Sequence, residues 1–262
     1  MKQVFAGILL ICSVSLVYGF DWMTEEKTIS ETFGSNKYGN YYQGIEITSK
    51  QHEVYSSHFG EIVFYNICDE LFPTLPSPLG SYVAVEHEGG IRTIYGHLEK
   101  DSIAATDFEV ANTSVIGKIG DTGYTYGKNL YFSVYDDELG RIINPLLILP
   151  QLEDTTPPVI REVSLRTRNG EEISLRDGVT IPAGNVEIMT TIIDTNREVD
   201  FYSPMAPFSV SVYINGEEFR TIEYEAISVH EGRLALDPDN NFLYADYYET
   251  QQFIHSGIHH IT

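Results

Sequence analysis

Residues 120–134 read Gly-Asp-Thr-Gly-Tyr-Thr-Tyr-Gly-Lys-Asn-Leu-Tyr-Phe-Ser-Val, a glycine-rich turn that runs directly into a strand-like segment. Further runs of β-branched and aromatic residues predict strands at residues 62–65, 82–86, 93–98 and 130–135. No segment shows a sustained helical period. The sequence therefore predicts an all-β protein.

Short motifs surround this turn in a fixed order. They are Tyr42-Gln43-Gly44-Ile45-Glu46, an apolar strand before His87, Thr93-Ile94-Tyr95-Gly96-His97-Leu98, Ile116-Gly117-Lys118-Ile119-Gly120 and Asn144-Pro145. Together they resemble the lysostaphin/LytM type of zinc metalloendopeptidase over roughly residues 38–150. The resemblance implies an antiparallel β core of the duplicated hybrid motif type in that part of the chain.

The same resemblance identifies the candidate site residues. The family's zinc ligands fall at Tyr42, Glu46 and Tyr131, and its catalytic histidines fall at His97 and Asn129. A catalytic zinc requires three protein ligands of the His, Asp or Glu type, and a phenol with a pKa of about 10 is a poor one. We therefore expect no zinc and no catalysis, with His97 and Asn129 vestigial and all five residues lining a ligand groove.

Other readings of these residues remain open. His87 matches a position that is structural in the family, and His58 lies in a predicted turn where a surface role is the default. A Tyr/Glu/Tyr set is an oxygen-only donor set that could instead suit ferric iron. An active peptidase with altered ligands would have to assemble a new site from Glu46, His97 and either His58 or His87.

Three functions are compatible with the motifs. The first is a non-catalytic envelope protein, because degenerate LytM-type proteins as a class bind the wall or activate separate wall hydrolases. Its partner would be peptidoglycan or an envelope protein such as a wall hydrolase. The second is an active peptidoglycan endopeptidase with altered metal ligands. The third is a surface structural or adhesion protein in which the groove is vestigial.

Charge and the N-terminus restrict the partners and the compartment. The 262 residues carry a formal charge of −22, from 38 acidic and 16 basic residues, which disfavours nucleic acid and anionic lipid. Residues 1–19 have the charged start and short apolar core of a signal peptide, so we expect export to the periplasm or the exterior, without membrane insertion after cleavage. Once the signal is removed, Cys68 is the only cysteine, so no internal disulfide is predicted.

A second domain is predicted after a polar, proline-punctuated linker. The predicted divisions are a lead-in at residues 20–37, the LytM-like domain at residues 38–150, and the linker at residues 151–157. In residues 158–262 apolar and polar residues alternate, which favours an immunoglobulin-like β-sandwich. Asn215-Gly216 predicts a type I′ hairpin turn. The last strand starts near the final residues, so we expect a short or truncated domain. Its adjacent His259 and His260 point to opposite faces and suit no shared metal site.

Overall fold

The computed structural model describes residues 19–37, 39–68, 77–104, 108–176, 179–180, 184–194, 205–236, 242–243 and 258–261. Within them the protein is nearly all β, and every strand pairing is antiparallel. The predicted all-β class is therefore confirmed. The predicted signal peptide lies almost entirely outside the described residues. No helix in the part of the chain described here has the length and apolar character to cross a membrane.

The strands of the N-terminal half build the framework of the candidate site. They are β1 (Thr28–Glu31), β2 (Asn36–Lys37), β3 (Asn40–Tyr41), β4 (Ile45–Thr48), β5 (Glu53–Tyr55), β6 (Gly60–Asn66), β7 (Ser81–Glu86), β8 (Ile91–Leu98), β9 (Glu109–Val110), β10 (Val115–Lys118), β11 (Leu130–Asp136) and β12 (Arg141–Ile143). Two single-turn 3₁₀ helices lie at Glu88–Gly90 and Pro145–Leu147. All four strands predicted in this half are present.

Several strands after the predicted linker are more exposed than those of the main sheet core. They are β13 (Val159–Thr167), β14 (Glu172–Ser174), β15 (Val186–Ile193), β16 (Ser209–Ile214), β17 (Glu217–Glu223), β18 (Ala226–His230), β19 (Arg233–Leu236), β20 (Phe242–Leu243) and β21 (Ile258–Ile261). Asn215 and Gly216 both have positive φ, 55° and 84°, between the paired strands β16 and β17. This is the geometry that a type I′ turn requires.

The main sheet is organised around β11. Its strands run in the order β20-β19-β18-β12-β11-β8-β7-β6-β9, with β4 also on β11 and β1 on β4. One edge of β11 pairs with β8, whereas the other edge is shared by β4 along its first half and β12 along its second. The residues at the start of β11 are therefore held between two neighbouring strands.

Two apolar cores stabilise this arrangement. The first packs buried side chains of the main sheet, among them Ile45, Tyr95 and Phe132. The second joins Phe33 of the lead-in and Tyr41 of β3 to side chains far along the chain, including Ile192, Ile222, Tyr224 and Ile227. Each fully buried side chain of this size contributes about 1.5–3 kcal/mol relative to exposure. The lead-in is thus part of the packed structure.

The C-terminal region is attached to the first half by backbone pairing. Strand β18 pairs with β12, and β19 and β20 extend the main sheet from there. The Asn144 side chain donates a 2.8 Å hydrogen bond to the carbonyl of Tyr224. Strands β13, β14, β15 and β21 form a separate sheet, and β16 and β17 form a hairpin. The immunoglobulin-like assignment and the domain boundaries stay predictions.

Candidate functional site

Strand register brings the candidate residues to one face of the main sheet. Tyr131 of β11 lies directly opposite Glu46 of β4 on one side and Gly96 of β8 on the other. Directly opposed residues in antiparallel strands project from the same face, with Cβ atoms about 4.5–5.5 Å apart. Asn129 is two residues before Tyr131 and shares its face by alternation. We call Tyr42, Glu46, His97, Asn129 and Tyr131 the tyrosine site.

His97 joins this face through a β-bulge. Between the pairs Ser81–Leu98 and Val83–Tyr95, β8 has one residue more than β7. His97 lies in this irregularity with a φ of 62°, a left-handed conformation that is uncommon outside glycine. Bulges re-aim side chains in this way. The ring of His97 consequently lies 5.9 Å from the ring of Tyr131 instead of on the opposite face.

Glycines make room for the ring of Tyr131. A Cβ on Gly44 would lie 2.4 Å from the carbonyl oxygen of Phe132 and 2.9 Å from the Tyr131 ring, closer than real contacts allow. A Cβ on Gly96 would lie 3.2 Å from the same ring. The glycines before β4 and within β8 therefore let both neighbouring strands approach Tyr131 closely.

The two tyrosines of the site act as hydrogen-bond donors. Tyr131 donates a 3.2 Å hydrogen bond to the carbonyl of Gln43, and Tyr42 donates a 2.7 Å hydrogen bond to Oε1 of Glu46. Their rings meet edge to face with centroids 5.7 Å apart. Burial raises the pKa of Tyr131 to about 12 and raises that of Tyr42 well above its ordinary value. Both phenols are therefore protonated at neutral pH.

The ammonium group of Lys37 is the cation of the site. Its Nζ lies 2.5 Å from Oε1 of Glu46, the same oxygen that accepts from Tyr42. It also lies 4.4 Å from the centroid of the Tyr42 ring, a cation–π distance. Glu46 is only 6% exposed. Its carboxylate charge is thus balanced within the protein by a side chain of the neighbouring hairpin.

A second carboxylate shares this lysine. Glu31 of β1 lies opposite Glu46 of β4, and its Oε2 is 3.7 Å from Lys37 Nζ. The hydroxyl of Ser35 donates a 2.5 Å hydrogen bond to Oε1 of Glu31. Burial raises the pKa of Glu31 to about 7, although the Lys37 ammonium opposes the shift. Two opposed carboxylates and one ammonium therefore form a compact charged network.

This network predicts a specific pH dependence of stability. The native pKa of Glu31 lies above the ordinary value of 4.5, so the folded state favours the protonated form. The resulting contribution to the free energy of unfolding is fully present below pH 4.5 and is lost as pH rises through 7. Glu31→Gln keeps an acceptor for Ser35 but cannot ionise. We expect the variant to match the wild type near pH 4.5 and to exceed it at pH 8, by about 3 kcal/mol at most. Denaturant titrations across this range check it, and a pH-independent difference would contradict it.

His97 and Asn129 both contact the glycine-rich turn. His97 Nδ1 lies 2.8 Å from the carbonyl oxygen of Thr122, so Nδ1 carries the proton and Nε2 holds the lone pair. Burial lowers the pKa of His97, against the opposing effect of that hydrogen bond. Asn129 Nδ2 donates a 2.6 Å hydrogen bond to Oγ1 of Thr125, whereas its buried Oδ1 has no partner among the residues that the structure describes.

The donor set of the tyrosine site does not fit zinc. Tyr42 and Tyr131 are protonated donors, and the Glu46 oxygen already accepts from a phenol and an ammonium. Zinc needs lone pairs from deprotonated or neutral ligands, and a resident ammonium repels a cation. Ferric iron binds tyrosine as the phenolate, and the raised pKa values of Tyr42 and Tyr131 oppose the loss of the phenol proton. Among the described residues, no group of three or more His, Cys, Asp or Glu could hold a metal.

The two other histidines lie outside the tyrosine site. His87 Nδ1 is 2.8 Å from the Phe59 carbonyl, and its Nε2 is 2.8 Å from Thr93 Oγ1, which is a structural role. The ring of His58 lies 5.9 Å from the ring of His87 and is partly exposed. These contacts involve neither Glu46 nor His97, which the altered-ligand peptidase would require beside one of these two histidines.

Two charged residues of the site were not predicted from the sequence. Lys37 and Glu31 fall in the predicted lead-in, where no motif distinguishes them from surface charges. Tyr124 and Tyr126 of the glycine-rich turn also match no family motif, and they are 70% and 88% exposed. The available signal was weak: a lysine near a short Gly-Asn turn just before the first motif.

Comparison with known families agrees with this geometry. Residues 40–145 match the model of Peptidase family M23. This part of the chain therefore matches an M23 peptidase domain, which confirms the coarser part of the resemblance. A second family model, without a description, matches residues 157–262. A search of curated proteins found no significant match.

Several solved structures are similar to the same part of the chain. A mutant catalytic domain of the prophage-encoded M23 protein EnpA from Enterococcus faecalis is 17% identical, with 48% of this chain and 95% of that chain covered and a TM-score of 0.40. The catalytic domain of the antimicrobial peptidase lysostaphin from Staphylococcus simulans is 19% identical, with 42% and 81% covered and a TM-score of 0.36. A chain of the SpoIIQ–SpoIIIAH pore forming complex is 22% identical, with 51% and 93% covered and a TM-score of 0.40.

Proposed function

We propose that this protein is an exported, non-catalytic M23-domain protein of the cell envelope. In this proposal the former catalytic face binds peptidoglycan or regulates a separate wall hydrolase, and zinc is absent. The observation that carries it is the Lys37 ammonium on Glu46, because this cation stands at the only ordinary ligand among the three zinc positions. The position of Asn129 is equally unsuited to acid–base work, since an amide does not titrate near neutral pH.

Retention of the site face supports a binding role. Tyr131 is packed between strands by two glycines, and Tyr42 and His97 both contact its ring. Aromatic side chains are the residues that most often dominate binding energy at recognition surfaces. A well-packed face with two tyrosine rings and no donor set for zinc suits recognition better than hydrolysis.

Metal content and wall binding of the purified protein test this proposal. Elemental analysis should find no stoichiometric zinc. The wild-type protein should sediment with purified peptidoglycan even in the presence of a chelator. Tyr131→Ala should bind peptidoglycan more weakly, by about tenfold or more. Tyr213→Ala, which removes an exposed tyrosine from β16, is the matched control and should bind normally. Circular dichroism verifies that both variants are folded.

The remaining outcomes distinguish the alternatives. One zinc ion per chain, together with chelator-sensitive release of wall peptides, would establish the active peptidase and overturn the proposal. A folded, metal-free protein that neither sediments with peptidoglycan nor changes the activity of a wall hydrolase would also overturn it. That last result would favour the structural or adhesion role.

A further inference from the structure

Asn129 has a buried hydrogen-bond acceptor that is unpaired within the described part of the chain. The residue is 3% exposed, and no described residue donates to its Oδ1. Thr125 fixes the orientation of the amide, because the Thr125 hydroxyl donates to the carbonyl of Gly127 and so accepts from Asn129 Nδ2. Leaving such a group unsatisfied costs about 1–3 kcal/mol. A hydrogen-bond donor from outside the protein would recover that free energy.

His97 supplies a second acceptor beside the same segment. The Thr122 carbonyl holds the proton on Nδ1, so Nε2 of the neutral ring is an acceptor. Leu98, the residue after His97, forms an isolated β-bridge with Ile119, and Asn129 forms one with Gly120. Adjacent residues of one short segment therefore pair with the chain next to His97 and with Asn129. His97 and Asn129 both lie on the face of Tyr131. The face therefore offers two acceptors and an aromatic ring.

The electrostatic surroundings favour a cationic donor. Burial has the largest effect on the pKa of His97, and of the two charges acting on that ring the Glu46 carboxylate raises its pKa more than the Lys37 ammonium lowers it. A cation beside His97 is therefore favoured, whereas a cation at Glu46 Oε1 would have to displace Lys37. The whole chain also carries a formal charge of −22. The Tyr42 ring already contacts the Lys37 ammonium at 4.4 Å, so the aromatic rings of this site suit an alkylammonium group. An ammonium has three N–H donors and no acceptor, which matches a face that offers acceptors.

We propose that the face formed by His97, Asn129 and Tyr131 binds a primary ammonium group of a peptide. The ammonium donates to Asn129 Oδ1 and His97 Nε2 and packs against the Tyr131 ring. The inference deepens the proposed function, on which it rests, by naming the chemical group that the site recognises. It also gives His97 and Asn129 a role at a site whose three metal-ligand positions carry Tyr42, Glu46 and Tyr131.

A pair of peptides that differ only in the amine tests the proposal. Trialanine amide and its N-acetylated form are titrated into the wild-type protein labelled with nitrogen-15 on histidine. We expect only the free amine to shift the Nε2 resonance of His97, with binding in the millimolar range. Equal shifts from both peptides, or none from the amine, would overturn the proposal. A bound water satisfying Asn129 would give that second result.

Substitutions at Asn129 add an independent readout. Asn129→Leu removes the acceptor and should weaken binding of trialanine amide about tenfold or more, whereas Asn129→Asp retains an acceptor, adds negative charge and should bind at least as tightly as the wild type. Asn112→Leu, at an exposed position, is the matched control. If Asn129→Leu fails to fold, the aspartate variant and the wild-type peptide pair still decide the question.

Acetylated peptidoglycan separates this inference from the proposed function. Acetic anhydride removes the free amino groups of purified wall material. If the wild type sediments equally with treated and untreated wall, the proposed function stands and the ammonium inference fails. If the protein binds trialanine amide but neither wall preparation, the ammonium site stands and the proposed wall-binding function fails.

Discussion

A variant carrying Tyr42→His, Glu46→Asp, Asn129→His, Tyr131→His and Lys37→Ala is expected to bind one zinc ion per chain with a micromolar or lower Kd. Tyr131 and Glu46 are opposed across paired strands, and Tyr42 contacts both, so histidine and aspartate at these positions would supply three converging ligands. Three such ligands define a catalytic-type zinc centre with one open position. We call this the five-substitution variant.

Lys37→Ala is essential because the Lys37 ammonium occupies the position on the Glu46 carboxylate where a zinc ion would bind. In the wild type its ammonium is 2.5 Å from the carboxylate oxygen of Glu46. Two unit charges 4 Å apart repel by about 4 kcal/mol at an effective dielectric constant of about 20, which corresponds to nearly a thousandfold in Kd. The otherwise identical variant that retains Lys37 should therefore bind zinc far more weakly.

Competition with a chromogenic zinc chelator measures both affinities under the same conditions. The wild type and the single variant Lys37→Ala serve as controls, because neither has three competent ligands. Equal zinc affinity with and without Lys37 would show that the ammonium does not exclude the metal. Absence of zinc binding from a folded five-substitution variant would show that the three positions do not converge as the strand register indicates.

Local patterns were sufficient to predict much of the fold. Aromatic and β-branched runs predicted β6, β7, β8 and β11, and the Asn215-Gly216 dipeptide predicted the turn between β16 and β17. Long-range pairing was not predictable in this way. The attachment of β18 to β12 depends on which apolar faces meet across more than eighty residues of sequence, for example where Tyr224 packs with Phe33. Alternation alone does not encode that choice.

The site shows the same division between local and long-range information. Motif order placed Tyr42, Glu46 and Tyr131 near one another, because it implied the strand neighbours of β11. The sequence could not show that Lys37 reaches Glu46, since a lysine in a short hairpin can extend in several directions. The bulge that turns His97 towards Tyr131 was equally hidden, because a regular β8 would place His97 on the opposite face.

Lys37→Met is expected to destabilise the protein by about 3 kcal/mol at pH 7, at the lower end of the range for breaking a buried ion pair. Methionine keeps the aliphatic stem, so the loss reports the missing charge. The Lys37 side chain is 19% exposed and that of Glu46 is 8% exposed, so little water replaces the ammonium. The Glu46 carboxylate is then left without its cation opposite Glu31, and loss of the ammonium also raises the pKa of Glu31 further above its ordinary value.

Lys128→Met is the matched control for this substitution. Lys128 lies 3.8 Å from Glu99, with both side chains 49% exposed, and surface pairs of this kind contribute about 1 kcal/mol or less. Denaturant titrations should show a much larger loss for Lys37→Met, and adding Glu46→Gln should recover part of it by removing one uncompensated charge. The deficit should also narrow below pH 7, because Glu31, whose pKa burial raises to about 7, is then protonated and no longer needs the ammonium. Equal losses for the two lysine variants would mean that the Lys37 ammonium is an ordinary surface charge, and the internal-cation account of this site would then be wrong.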